Sequence, residues 1–434
     1  MRTFFLIIIT VISLSVPFSK AFPESDTSTM TTDLFLATAE NDSRLEIRRE
    51  LVEYLENAPE GTPYIEKIEF RTQTEEFDIT KQKYSLRFYP KAMGETECSR
   101  KLSGTAIKAA KAEHEAFLNT MLVQRYELIL DYLETSSFLR LQKKLLAVCD
   151  DRITVLEKLS MSNLSFDINT LITAEDRYTE LQLDIAELEN RMVSVIRKIK
   201  TAAGSDARIA FDENRIIKVE IIEKMISSSE YVPVPGNIRL NSQKLKTELA
   251  KNQYDLEKTK DRDFLSFVGL EYDTDEYDDL EKSFSFELAF NLPVISPNRD
   301  EITRRKQGWL EEKIKYEDEK RAISEGISAL SGSLKQLIRQ HNILVNRNKD
   351  SNAEVSFRKY MEMEGIDPLI LLKIKESILK NDVRTNRINY LILRQYIELI
   401  NITGRLSEKP LKNYISSTGF NWNAVRLSDL KIHK

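Results

Sequence analysis

Glycine and proline are scarce in this chain, 12 and 11 among 434 residues. With nearly a third of the residues charged, so few breakers argue for long helices with solvated faces rather than closely spaced turns. Only two cysteines are present, Cys98 and Cys149, which excludes a disulfide scaffold. On the continuous helix read below they would stand roughly 75 Å apart at about 1.5 Å per residue, so they cannot pair within the chain and read as small core residues. The three histidines, His114, His341 and His433, are widely separated and have no companion ligands, which leaves a metal site without support. No nucleophile elbow, Walker or dinucleotide-binding glycine motif occurs, so neither an enzymatic activity nor a cofactor is expected. The acidic pairs Asp150-Asp151 and Asp278-Asp279 read as solvated charge on a helix and in a turn. Clusters of basic residues are also missing, which argues against a nucleic-acid partner.

What is present starts with a processing signal. Arg2 supplies the charge, Phe4 to Val16 the apolar core, and Ser19-Lys20-Ala21 a small-residue cleavage site before Phe22. The protein is therefore expected to leave the cytoplasm, and its formal charge passes from −5 to −7 when Arg2 and Lys20 are removed. The apolar run is about 13 residues, short of the roughly 20 that a spanning helix needs, and no later segment approaches that length without charges. No cysteine follows the cleavage region until Cys98, so a lipid anchor there is not expected either. Any membrane insertion has to come from strands.

Glu95 to Leu159 has no proline and one glycine, Gly104, and reads as a single helix near 100 Å long. After a break at Ser160-Met161-Ser162-Asn163, a second helix runs to about Ala203, with Gly204 as its cap. Along it Leu171, Ala174, Tyr178, Leu181, Ile185, Leu188, Met192, Val195 and Ile199 keep an unbroken three-four spacing, the mark of a coiled-coil seam. The plan recurs downstream: a helix from Arg304 to about Tyr360, a break at Glu364-Gly365-Ile366-Asp367-Pro368, and a helix from Leu369 to Ile402 before Gly404.

Ahead of each helical hairpin lies a pair of candidate strands. Tyr84, Leu86 and Phe88 alternate with Ser85 and Arg87, and Phe284, Phe286, Leu288, Phe290 and Leu292 alternate with Ser285, Glu287, Ala289 and Asn291 before Pro293. Their partners are Tyr64 to Arg71 and Phe264 to Tyr272, the latter less cleanly alternating, with turns from Thr72 to Lys83 and from Asp273 to Lys282. The distances from Phe88 to Ser162 and from Phe290 to Glu364 are both about 74 residues, and those onward to Gly204 and Gly404 both about 40, which indicates an internal duplication. Four strands cannot close a barrel alone, and lipid tolerates no open strand edge. Clean runs of about nine residues match a tilted membrane-crossing strand. Alternation by itself fits a soluble half-buried sheet equally well, and long helices by themselves fit a pore-free coiled-coil spacer.

The order strand, Pro, long helix, break, helix, Gly, repeated twice, resembles the TolC-type outer-membrane efflux and export channel family. The likeness is carried by Phe286-Glu287-Leu288-Ala289-Phe290-Asn291-Leu292-Pro293-Val294, by Asn169-Thr170-Leu171-Ile172-Thr173-Ala174, by Gly365 with Leu369 to Leu372, and by Thr38-Ala39-Glu40-Asn41. It implies a mainly α fold with a small β part, in which long antiparallel coiled-coil hairpins and four membrane strands per protomer build a homotrimeric α-barrel and β-barrel. The implied organisation is a signal peptide at 1–21, a first repeat at 22–204 (strand hairpin about 64–90, helical hairpin about 95–203), a mixed equatorial segment at 205–240, a second repeat at 241–404 (strand hairpin about 264–293, helical hairpin about 300–403) and a tail at 405–434.

By the same resemblance the protein would be a passive exit duct in the outer membrane of a Gram-negative bacterium. Its partners would be a periplasmic adaptor and an inner-membrane pump or ABC exporter. Asn163, Leu164, Ser165, Phe166 and Asp167, with Glu364, Gly365, Ile366, Asp367 and Pro368, would form the adaptor-docking tips; Tyr84, Leu86, Phe88, Phe284, Phe286, Leu288 and Phe290 would face lipid; and Asp273-Thr274-Asp275-Glu276-Tyr277-Asp278-Asp279 would be a surface loop. Leu164 stands where the family carries glycine, and Leu371, Lys373 and Lys375 occupy the stretch where acidic residues line the closed end. Those basic residues either line the tip and favour anionic cargo or form a solvated helix face. The competing readings are a periplasmic structural or adaptor-like coiled-coil protein without a pore, and a degenerate family member that no longer conducts.

Overall fold

The computed structural model describes residues 29–58, 64–74, 82–162, 166–228, 237–273, 284–291, 298–350, 360 and 367–417. The expected signal segment, Thr274 to Asp279 of the acidic loop, Pro293 and His433 lie outside these residues. Eight helices are described: α1 (Thr32–Ala37), α2 (Ser43–Asn57), α3 (Glu95–Ser162), α4 (Ile168–Ala203), α5 (Val219–Ser228), α6 (Ile238–Lys260), α7 (Arg299–Asp350) and α8 (Pro368–Thr403). The described strands are β1 (Thr29–Met30), β2 (Ile65–Thr74), β3 (Gln82–Pro90), β4 (Arg208–Ile209), β5 (Leu265–Asp273) and β6 (Phe284–Phe290). No described helix is long and apolar enough to cross a membrane.

At 68 residues α3 extends about 100 Å. Nothing in its Ala-, Leu-, Lys- and Glu-rich sequence interrupts the backbone ladder. The helices form one layer around α3, which packs on α2 and α6 toward the sheet and on α4 and α8 toward the other end, while α7 runs alongside α6 and α8.

The duplication is visible in the caps. Asp167 accepts a hydrogen bond from the Asn169 N–H at 3.0 Å to start α4, and Asp367 accepts one from the Leu369 N–H at 2.9 Å to start α8, where Pro368 occupies the first turn. Gly204 and Gly404 end these helices in the left-handed conformation, with φ of 62° and 80°.

The second junction is also a joint between helices. Asn237, the cap of α6, donates from Nδ2 to the Ile402 carbonyl at 2.9 Å, so α8 and α6 meet end to end. A Cβ on Gly404 would lie 3.1 Å from the Asn237 Cα, whereas a Cβ on Gly204 would meet nothing. Gly204→Ala is therefore expected to cost about 1–2 kcal/mol for the left-handed backbone alone. Gly404→Ala should cost measurably more, because backbone atoms cannot rotate aside; urea-unfolding midpoints of the two variants give the comparison.

The main core does not run the length of the helices. It forms a belt where the middle of α3 (Leu118 to Leu133), the end of α4, the middle of α7 and the end of α8 meet α1, α5 and the tail after Gly404. β1 pairs in parallel with β4, and the tail returns to bond residues 215–217 through Ile415 and Ser417. Tyr126, 1 % exposed, holds that tail: its hydroxyl donates to the Lys412 carbonyl at 3.0 Å and accepts from the Tyr414 N–H at 3.1 Å. Burial raises its pKa, so the phenol stays neutral and can donate. Tyr126→Phe would leave both backbone groups unpaired, a loss of about 1–3 kcal/mol, seen as faster proteolysis within residues 405–417.

Several boundaries differ from those read in the sequence. Helix α7 begins at Arg299, next to the 300 expected for the second helical hairpin and ahead of Arg304, with Asp300 and Glu301 as favourable charges in its first turn. Strand pairing continues through Thr72–Thr74 and from Gln82, residues assigned to a turn, because the backbone ladder needs no apolar side chain. The poor alternation of β5 comes from a register shift between Leu265 and Phe267. Cys98 is only half-buried, with Sγ 3.5 Å from the Thr259 hydroxyl, while Cys149 is buried; both are free.

Candidate membrane-spanning sheet and the helices beneath it

The four long strands form one antiparallel sheet in the order β2-β3-β5-β6, so the two candidate hairpins join through β3 and β5. The register aligns apolar residues in rows: Ile68 with Phe88, Val268 and Leu288; Phe70 with Leu86, Leu270 and Phe286; Thr72 with Tyr84, Tyr272 and Phe284. All seven residues expected to face lipid therefore lie on one face of one sheet. Phe284, Phe286, Leu288 and Phe290 are exposed at 59, 62, 46 and 53 %, and Tyr84, Leu86 and Phe88 are half-buried between neighbouring strands. No described helix lays a face on this surface.

Aromatic rings gather at both ends of that face. Tyr272 packs on Phe284 at 5.0 Å and Phe70 on Tyr84 at 6.3 Å near the loop end; Phe264 packs on Phe290 at 5.2 Å near the helices. The two middle rows mix aliphatic Ile68, Leu86, Val268, Leu270 and Leu288 with Phe70, Phe88 and Phe286. An unbroken apolar band across four strands is what a bilayer core demands.

The opposite face is ionic. Lys67 and Arg71 flank Glu69 at 3.4 and 2.9 Å, Lys83 meets Asp273 at 3.1 Å, and Tyr89 donates to Glu69 at 2.6 Å. Arg87 on β3 reaches over β5 to Glu287 on β6 at 3.0 Å. Gly269 lies between them, and a Cβ there would stand 3.4 Å from both Arg87 Cγ and Glu287 Cβ. A glycine inside a strand is a sign of such a close approach.

Below the sheet, the seam residues of α4 lie on its packed side. Leu181, Ile185, Val195 and Ile199 are buried with Ala174, and Leu171, Tyr178, Leu188 and Met192 are half-buried. Of the tip residues, Phe166, Asp167, Asp367 and Pro368 are described, the latter two exposed, and the two aspartates serve as helix caps. Asn163, Leu164, Ser165, Glu364, Gly365 and Ile366 lie outside the described residues.

The polar ties between helices were not legible in the sequence. Arg394 on α8 donates to Asp131 and Glu134 on α3 at 2.6 and 2.7 Å, and Arg191 on α4 approaches the same acids at 3.5 and 3.9 Å. Burial opposes the charge on Arg394, but the hydrogen bonds to Asp131 and Glu134 outweigh it and raise its pKa. Arg125, almost inaccessible, stacks over Phe35 at 5.0 Å with Asp42 at 3.8 Å. Burial pushes its pKa down to about 10 against the pull of Asp42, so it remains a cation. Among the described residues no group of His, Cys, Asp and Glu could hold a metal ion.

A four-stranded sheet set on long helices with a belt at their middle is a fold that the chain shares with solved outer-membrane proteins and channels. It is similar to the outer membrane protein VceC of Vibrio cholerae, with a TM-score of 0.61 at 13 % identity over 86 % of this chain and 96 % of that one. A membrane protein from Pseudomonas aeruginosa gives 0.61 at 12 % identity over 91 and 96 %. The Campylobacter jejuni CmeC outer membrane channel gives 0.57 at 12 % identity over 86 and 84 %. No family model matches the sequence. No curated protein matches it either.

Proposed function

We propose that the protein is a passive outer-membrane channel that works as a homotrimer, the exit duct of a tripartite efflux pump or type I secretion system. The observation that carries this reading is the uncovered sheet. Among the described residues no helix packs on its apolar face, and β2 and β6 have no further strand paired to their outer edges, an arrangement lipid would not tolerate. Three copies, each joining β6 to the next copy's β2, would close twelve strands with the ionic face inward. The helical layers would then continue the barrel into the periplasm as a tunnel.

In this reading the outer membrane of a Gram-negative bacterium holds the sheet, and the tips around Asp167 and Asp367 receive a periplasmic adaptor that couples the duct to an inner-membrane pump or ABC exporter. Transport through such a duct needs no catalytic group or cofactor. Purified protein reconstituted into planar bilayers should give discrete unit conductances. A chain that stays monomeric and water-soluble without detergent would contradict the proposal and favour a pore-free coiled-coil protein.

A further inference from the structure

The layer of helices has two lateral edges. Between the belt and the sheet it runs α2, α3, α6, α7, so α2 stands at one edge and α7 at the other. Helix α2 leads into β2 and α7 follows β6, which sets these two helices beneath the two outer strands of the sheet. On α2, Leu45 is buried and Arg48 lies over Phe117 of α3 at 4.5 Å, while Ile47, Leu51 and Tyr54 turn away and are exposed, Tyr54 by 70 %. On α7, Trp309 stacks on Tyr254 of α6 at 5.8 Å, while Leu310 and Ile314 are exposed, Ile314 by 61 %. A helix that packs on one side only keeps its other side polar. These two apolar rows, at three-four spacing, have nothing to pack against in the single chain.

The two rows stand at one level. Glu56 of α2 pairs with Lys111 of α3 at 2.5 Å, Glu113 of α3 pairs with Lys246 of α6 at 2.8 Å, and Gln243 and Thr247 of α6 donate to Glu312 of α7 at 2.8 and 3.0 Å. These bonds form a line across the layer from edge to edge. Tyr54 lies two residues from Glu56 at one end of that line, and Leu310 and Ile314 each lie two residues from Glu312 at the other.

The edges also differ in charge. Beside the α2 row stand Glu46, Glu50 and Glu53, and beside the α7 row Lys306, Lys313 and Lys320, all exposed. Glu46 meets Arg49 of its own helix at 3.6 Å, and the other five have no ion pair among the described residues. With Arg49 counted on the first flank and Glu317 on the second, the flanks remain net acidic and net basic. Helix α2 climbs toward the sheet and α7 descends from it. At about 3.6 residues per turn, with the packed side of each helix turned into the layer, the three acids and the three lysines fall on the same surface of that layer.

We infer that the outer edge of α2 is a docking surface for a second copy of this chain, in which Leu310 and Ile314 of that copy's α7 pack on Ile47, Leu51 and Tyr54. The copy's Lys306, Lys313 and Lys320 then face Glu46, Glu50 and Glu53. The inference rests on the homotrimer proposed above and names the surface that holds it together below the barrel. A β6 strand joined to the next copy's β2 carries its α7 to that copy's α2, because each helix lies a few residues from its strand. Exposed ion pairs contribute little, so the apolar rows supply the contact while the charges select edge and register. A contact of α2 with α7 is heterologous and is satisfied in every copy only by a closed ring.

Thiol crosslinking in membranes of cells that express the full chain, with Cys98 and Cys149 replaced by serine, tests this. With Tyr54→Cys and Ile314→Cys in one chain, a short bis-maleimide should give covalent dimers and trimers. Either substitution alone should give neither, and the two single variants expressed together should give dimers at most. Lys306→Glu, Lys313→Glu and Lys320→Glu together should lower the trimer yield severalfold, and Glu46→Lys, Glu50→Lys and Glu53→Lys added to that chain should restore it. A yield unchanged by the lysine reversal would overturn the pairing of the charged rows. A double-cysteine chain that stays monomeric, while the wild-type protein shows unit conductances in bilayers, would overturn the docking surface and leave the channel reading intact. Absence of both crosslinks and unit conductances would overturn both.

Discussion

Phe286→Arg should remove the protein from the outer-membrane fraction, whereas Ser285→Arg, one residue away, should leave it there. Phe286 sits in the middle row of the apolar face beside Leu270 and is 62 % exposed in the single chain. If that exposure is to acyl chains, an arginine at this depth costs about 2–4 kcal/mol per copy relative to its cost at the interface, and threefold assembly repeats the penalty. Ser285 points to the other face, where it pairs with Glu271 and a new cation gains a carboxylate neighbour. A sheet buried in a soluble partner would also reject Phe286→Arg, but its failure would appear as aggregation of aqueous protein and not as loss from the membrane. Fractionation of the two variants side by side measures the difference.

Ile199→Ala should be the most destabilising change in the seam. Ile199 is fully buried where α4 enters the belt, whereas Leu188 is half-buried outside it. Truncating a buried isoleucine removes its transfer free energy and leaves a cavity in surroundings held from several sides, a loss of about 2–5 kcal/mol. Leu188→Ala leaves a space that solvent and neighbouring side chains can reach, so its cost should be distinctly smaller. Urea-unfolding midpoints in detergent, with tryptic cleavage within Leu171 to Ile199 as a local probe, separate the two. Equal midpoints would mean that the belt does not clamp the end of α4.

The parts of this fold that repeat with a short period could be read from the chain. Tyr84, Leu86 and Phe88 alternate because a pleated strand with one apolar face has period two, and Leu171 to Ile199 recur at three-four spacing because a helix with one packed face requires it. Capping glycines were visible for the same reason: Gly204 and Gly404 each follow the last periodic residue. The pairings that join distant elements carry no such period. Arg87 and Glu287 are far apart in sequence, and so are Arg394 and its partners Asp131 and Glu134; nothing local distinguishes these charges from solvated ones. Gly269 inside an apolar strand was the one local sign of the first pairing. The two-residue pairing of β1 with β4 is too short to leave a pattern.

The account turns on whether the greasy side of the sheet meets acyl chains. Spin labels placed one at a time at Phe286→Cys and Ser285→Cys, with Cys98 and Cys149 replaced by serine, report this through collision with oxygen, which concentrates in lipid, and with a water-soluble nickel chelate. A label at 286 relaxed by oxygen and shielded from nickel, beside a label at 285 with the reverse preference, is the predicted result. Shielding of the 286 label from both reagents, as within a protein core, or its free access to nickel, would contradict the account.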